Sequence, residues 1–127
     1  MNSVQLYFSS FGVSVPTLHW IHKKAYMVSE ELLRVAQQLN EHVVSMGTYM
    51  GYVRGEHFFP SLACVDYLSE HALTNTVVVD DKSAWLFTCK RDVFEDSILE
   101  KKGEGPLFLV FSMHNQCVGI GLYKKKM

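Results

Sequence analysis

Over the first 28 positions apolar and polar residues alternate loosely. Val4, Leu6 and Phe8 form one period-two set and Leu18, Trp20 and His22 another, with Pro16 between them. That alternation predicts half-buried strands near residues 4–8 and 18–21, and Ala25-Tyr26-Met27-Val28 reads as a third. The period changes at Ser29. A serine in the N-cap position, with Glu30 and Glu31 in the first turn, suits the exposed N–H groups and positive end of a helix. Leu32, Val35, Ala36 and Leu39 then recur at helical spacing and predict one apolar face, with Asn40 as the C-cap residue. From His42 to Val53 β-branched and aromatic residues return, with Gly47 and Gly51 among them. We expect a strand pair or one bent strand, the glycines marking a bulge or a close backbone approach. Arg54-Gly55-Glu56-His57 reads as a turn. Phe58-Phe59 then leads to Pro60 in the first turn of a second helix, with Leu62, Val65 and Leu68 inward and Asp66 and Glu70 outward.

The texture changes near residues 72–76. Thr76–Val79 and Ala84–Thr88 read as strands joined by a polar turn at residues 80–83. A short helix is expected over Asp92–Leu99, and a loop from Lys101 to Pro106. Leu107–Met113 and Val118–Tyr123 read as strands around the turn His114-Asn115-Gln116, with Gly119 and Gly121 in the last strand marking a bulge or tight packing. The class expected is α+β, with a small α/β N-terminal domain at 1–73 followed by a mostly-β domain at 74–127.

Composition narrows the function classes. Apolar residues make up 48% of the 127, enough to bury a core and against a disordered chain. The longest apolar runs, residues 76–79 and 107–111, are far too short to span a bilayer, and no basic flank precedes an apolar stretch at the N-terminus, so no membrane or secretory role is expected. Cys64, Cys89 and Cys117 are an odd, widely spaced set, which reads as free thiols in a reducing compartment. Cys64 and Cys117 are expected to be small core hydrophobes rather than nucleophiles. There is no Cys-x-x-Cys, no His-Glu-x-x-His and no phosphate-binding loop ending in Gly-Lys-Ser/Thr. The pairs Asp80-Asp81 and Glu95-Asp96 lie in polar, turn-like contexts that do not favour acid–base catalysis.

Net charge is −1, from 12 basic and 13 acidic side chains, so any polyanion site must be local. After residue 88 there are 7 basic residues (Lys90, Arg91, Lys101, Lys102, Lys124, Lys125, Lys126) against 5 acidic ones (Asp92, Glu95, Asp96, Glu100, Glu104). A positive rim there would attract phosphates without sequence preference, and Tyr123 would add base stacking.

Several blocks then follow in a familiar order: Tyr26-Met27-Val28-Ser29-Glu30-Glu31-Leu32-Leu33, Val44-Ser45-Met46-Gly47-Thr48-Tyr49-Met50-Gly51, Val65-Asp66-Tyr67-Leu68, and Val110-Phe111-Ser112-Met113 with Gly119-Ile120-Gly121. This series, over residues 22–126, resembles the Nip-seven family of ribosome-biogenesis factors, in a compact or truncated form that stops six residues after Gly121. Cys117-Val118 stands where the family usually has Pro-Leu. The resemblance implies a C-terminal PUA-like RNA-binding domain and a non-enzymatic role in pre-rRNA processing and 60S subunit assembly. It implies ribosomal RNA, the pre-60S particle and other assembly factors as partners. It places the protein in the nucleus and nucleolus, or in the cytoplasm of an archaeon. We expect a monomer with no cofactor and no metal, and RNA contacts at Lys90, Arg91, Lys101, Lys102, Lys124, Lys125 and Lys126. The alternative is a protein-interaction module that docks on other assembly factors.

Overall fold

A computed structural model describes residues 3–39 and 46–123. Among them are four α-helices and two four-stranded sheets, a mixed α+β protein. The chain forms two compact units, one of Met1–Ser9 with Ser14–Tyr67 and the other of Ser10–Val13 with Leu68–Met127.

The first unit is built on an antiparallel meander in the order β1 (Leu18–Ile21), β2 (Lys24–Met27), β3 (Thr48–Arg54), β4 (His57–Pro60). One face of the meander is core, where Ala25, Met50 and Phe58 are buried. The expected strand at 4–8 is instead helix α1, Ser3–Ser9. Val4 and Phe8 are spaced for one helical face as well as for alternation, and both are buried. Leu6, which a strand would have buried with them, is 55% exposed. Phe8 and Tyr7 both pack their rings on Phe58, with centroids 6.5 and 5.5 Å away. Helix α2, Glu30–Leu39, starts as its cap predicts, with the Leu32 N–H donating to Ser29 Oγ at 3.2 Å. The expected C-cap at Asn40 and the residues 42–45 assigned to a strand lie outside the described residues.

Pro60 does not open a helix. It ends β4, and helix α3 (Leu62–His71) begins two residues later under a cap from Ser61, whose hydroxyl accepts the Cys64 N–H at 3.1 Å and donates to the Tyr49 carbonyl at 2.6 Å. Cys64 and Leu68, four apart, face inward and are fully buried, whereas Leu62 is 86% exposed.

In the second unit the sheet runs β6 (Ile98–Lys102), β5 (Thr76–Val79), β7 (Leu107–Phe111), β8 (Cys117–Leu122), with β5 and β7 parallel and the outer pairings antiparallel. The expected strand over residues 84–88 is helix α4, Asp81–Thr88. A short apolar run is ambiguous between strand and helix, and here the cap decides it. Asp80 Oδ1 accepts the Ser83 N–H at 2.7 Å, and this bond holds the Asp80 carboxyl below its ordinary pKa. The expected helix over 92–99 shrinks to one 3-10 turn at Glu95–Ser97, because Ile98 joins β6 and pairs with Val79. Lys101 and Lys102 also belong to β6, so the loop begins only at Gly103. The core gathers Val77, Val79, Ala84, Phe108 and Val110, with Phe87 packed against them. Phe87 explains the glycines of β8, since a Cβ on Gly119 or Gly121 would lie 3.0 or 3.4 Å from its ring atoms.

Candidate nucleic-acid interface

Strand geometry separates the two lysines that are adjacent in sequence. Neighbouring strand residues project to opposite faces. Lys101 pairs with Val77, on the core face, and Lys102 pairs with Thr76, on the other face, which it shares with Glu100. The Lys101 ammonium lies 4.3 Å from the ring centroid of Tyr123 and 5.5 Å from that of Phe108, a cation held over two aromatic faces. The Tyr123 hydroxyl donates to Glu95 Oε1 at 3.0 Å. That bond and the carboxylate charge favour the protonated phenol and push the Tyr123 pKa up.

Helix α4 supplies the next cation. Its end follows the Schellman pattern, with the Arg91 N–H donating to the Leu86 carbonyl at 2.9 Å and the Lys90 N–H to the Phe87 carbonyl at 3.0 Å. Lys90 sits at φ +64 in the position that usually takes glycine. The turn delivers Arg91 to an open cleft of about 670 Å³. It is lined by the buried core residues Val77, Val79, Phe108 and Val110, by Phe87 and Phe94, and by Arg91, Asp92, Glu95 and Tyr123. Phe94 is 68% exposed. The volume suits a small organic group, and an apolar lining with a few polar groups is the usual composition of such sites.

Of the seven expected residues, the structure places Arg91 in the lining of the cleft, and it sets Lys101 over the rings of Tyr123 and Phe108, two of the lining residues, without making it part of the lining. Lys90 is beside Arg91 in the chain but does not line the cleft, and Lys102 is on the opposite face of the sheet. Lys124, Lys125 and Lys126 lie outside the described residues. The charged lining residues are one cation, Arg91, and two acids, Asp92 and Glu95, with Lys101 beside them over the rings, so the cleft is not a basic groove. Binding there would draw more on contact with the rings than on long-range attraction. Sequence reasoning missed Phe87, Phe94 and Glu95. Nothing in the sequence sets Phe87 or Phe94 apart from a core phenylalanine, and Glu95 and Tyr123 are 28 residues apart and carry no local signal of their bond.

Other chemistry is weakly supported. Burial pushes the Cys64 thiol up to about 12, the opposite of what a nucleophile needs. Among the described residues no group of three His, Cys, Asp or Glu side chains could hold a metal ion. No helix among them is long and apolar enough to cross a membrane. No protein-family model matches the chain, and no curated protein matches it.

Proposed function

We propose that this protein is a non-catalytic RNA-binding factor of pre-rRNA processing and 60S subunit assembly, with the second unit acting as a PUA-like RNA-binding module. Its partners are ribosomal RNA in the pre-60S particle and other assembly factors, and its place of action is the nucleolus, or the cytoplasm in an archaeon. It acts as a monomer. The ordered motif blocks support the family reading, and one observation carries the RNA reading: Arg91 lines an open, aromatic-lined cleft, and Lys101, from a separate element, lies over two of the rings that line it. Phe94 and Tyr123 would offer rings to an unpaired base, and Arg91, which lines the same cleft, would offer a cation to a phosphate.

Binding of a structured RNA by fluorescence anisotropy tests this. Arg91→Glu with Lys101→Glu should weaken binding about tenfold or more, whereas Lys102→Glu should change it less than about twofold. Equal losses from Lys101→Glu and Lys102→Glu would leave only diffuse attraction and remove the cleft as the site.

A protein-docking role has one specific observation in its favour. Val35 and Leu39, on the apolar face of α2, are both exposed. Association with assembly factors that survives ribonuclease treatment and is lost in Val35→Asp with Leu39→Asp would favour it.

A further inference from the structure

The open face of the first sheet has no part in the cleft. Residues paired across neighbouring strands project to the same side, so the register defines this face. Lys24 pairs with Tyr52, and Tyr52 with Phe59. In the neighbouring rows Tyr26 pairs with Tyr49, and Arg54 with His57. Tyr49 and Tyr52 are three residues apart and would face opposite ways in a regular strand. The register shift between Ala25 and Tyr26 inserts one extra residue in β3 and returns both tyrosines to one face. Gly51 permits this. Its φ is +140, and a Cβ there would run into the Phe59 carbonyl oxygen.

The result is an aromatic surface in solvent. The Tyr52 and Phe59 rings stack with centroids 5.0 Å apart and planes 19° apart, and they are 40% and 42% exposed. Tyr49 is 37% exposed, its ring 5.5 Å from that of Tyr26, which is buried and bounds the exposed surface. Exposed apolar surface of this kind marks an interaction site, and charge identifies the partner. The four strands carry Lys24, Arg54, His19 and His57 and contain no Asp or Glu. Lys24 and Arg54 are exposed, and neither forms an ion pair with a described residue. The turn residue Lys23 adds a third cation, set against Glu56 in the turn between β3 and β4. In a chain of net charge −1, an acid-free sheet with free cations between exposed rings is complementary to a polyanion that has flat apolar faces.

We propose that this face is a stacking platform for single-stranded nucleic acid, with bases on Tyr52, Phe59 and Tyr49 and phosphates on Lys24 and Arg54. A duplex keeps its base faces inside the stack and cannot use the rings, whereas every unpaired base offers one, so binding is tolerant of sequence. The platform rests on the sheet register and its charge, independently of the cleft.

The test uses the full chain and a fluorescent twelve-nucleotide oligouridylate, with an RNA duplex of equal length as comparison. The unaltered protein should bind the single strand more tightly than the duplex. Tyr52→Ala with Phe59→Ala should weaken single-strand binding about 10- to 100-fold, and Lys24→Glu with Arg54→Glu should also weaken it, the latter variant altering only exposed charge. Photo-crosslinking of a 4-thiouridine strand to the unaltered protein, mapped by mass spectrometry, guards against loss of fold in the variants and should mark Tyr49, Tyr52 or Phe59. Arg91→Glu with Lys101→Glu should leave oligouridylate binding within about twofold, so the cleft and the platform fail separately. No binding of the oligouridylate, preference for the duplex, crosslinks confined to the second unit, or unchanged affinity in both platform variants would overturn the proposal.

Discussion

In the first sheet, the aromatic side chains outside the core stand in solvent among cations that have no acid on their strands. In the second, one cation already lies over the rings of Tyr123 and Phe108, and Glu95 already holds the Tyr123 hydroxyl. The same residue types are open to a partner in one place and engaged with one another in the other. Adjacency in the chain is thus a poor guide to a charge patch. Lys101 and Lys102 are neighbours in sequence and part company on an edge strand, whereas Lys24 and Tyr52 meet because the strand register pairs them.

The two regions should also differ in how salt acts on them. Two phosphate contacts to a single strand give a slope of log affinity against log salt of about −1.4. The platform, with Lys24 and Arg54, should approach that value. The cleft, where Asp92 and Glu95 lie beside Arg91, should show a shallower slope.

The largest single effect is expected at Gly51. Gly51→Val combines a strained φ with a clash against the neighbouring strand and should cost about 3 kcal/mol, read as a lower urea midpoint. It should also abolish stacking on the platform while leaving the sheet of the second unit intact by hydrogen exchange. The matching local device in the second unit is the Asp80 cap. Asp80→Ala should lower Tm by about 5 °C through fraying of α4, the helix that seats Phe87 on Gly119 and Gly121. The pH dependence has a definite sign. The folded carboxyl titrates below its ordinary value of 3.8, so the contribution is present above that pH and is lost as pH falls through the folded value. The gap between the two proteins should therefore close in acid below 3.8.

A smaller effect is expected at Tyr123. Its hydroxyl titrates above the ordinary 10.0 because of Glu95, so the stabilisation is present at neutral pH and lost as pH rises through the folded value. Glu95→Gln should move one tyrosine back toward 10.0 in a difference ultraviolet titration. No change would mean the bond to Glu95 does not persist in solution.

Local chemistry made part of this molecule legible. Ser29 with Glu30, Glu31 and a 3.6-residue apolar spacing locates α2, and the β-branched run at Thr76–Val79 locates a central strand. Glycines 51, 119 and 121 were readable as bulge or close-packing positions. Elements with two valid periods were not legible. Val4 and Phe8 fit one face of a strand or of a helix, and only the exposure of Leu6, which a strand would have buried with them, distinguishes the two. The run at 84–88 needed its Asp80 cap to be weighed above its β-branched neighbours. Pro60 suited a helix start by type but ended a strand, with Ser61 as the cap. The association of Ser10–Val13 with the second unit leaves no local trace in the pattern. For the candidate site, residue type was readable and direction was not. The side on which a lysine or tyrosine emerges depends on register, and in β3 register depends on a single inserted residue.

The most direct test of RNA binding by this protein is amide chemical-shift mapping of the isotope-labelled chain with an unstructured RNA and then a structured one. We expect the unstructured strand to shift resonances of Tyr49, Tyr52, Arg54 and Phe59, and the structured RNA to shift those of Arg91, Phe94 and Tyr123. Spectra that either RNA leaves unchanged at low salt, or changes confined to residues outside both sets, would contradict the account.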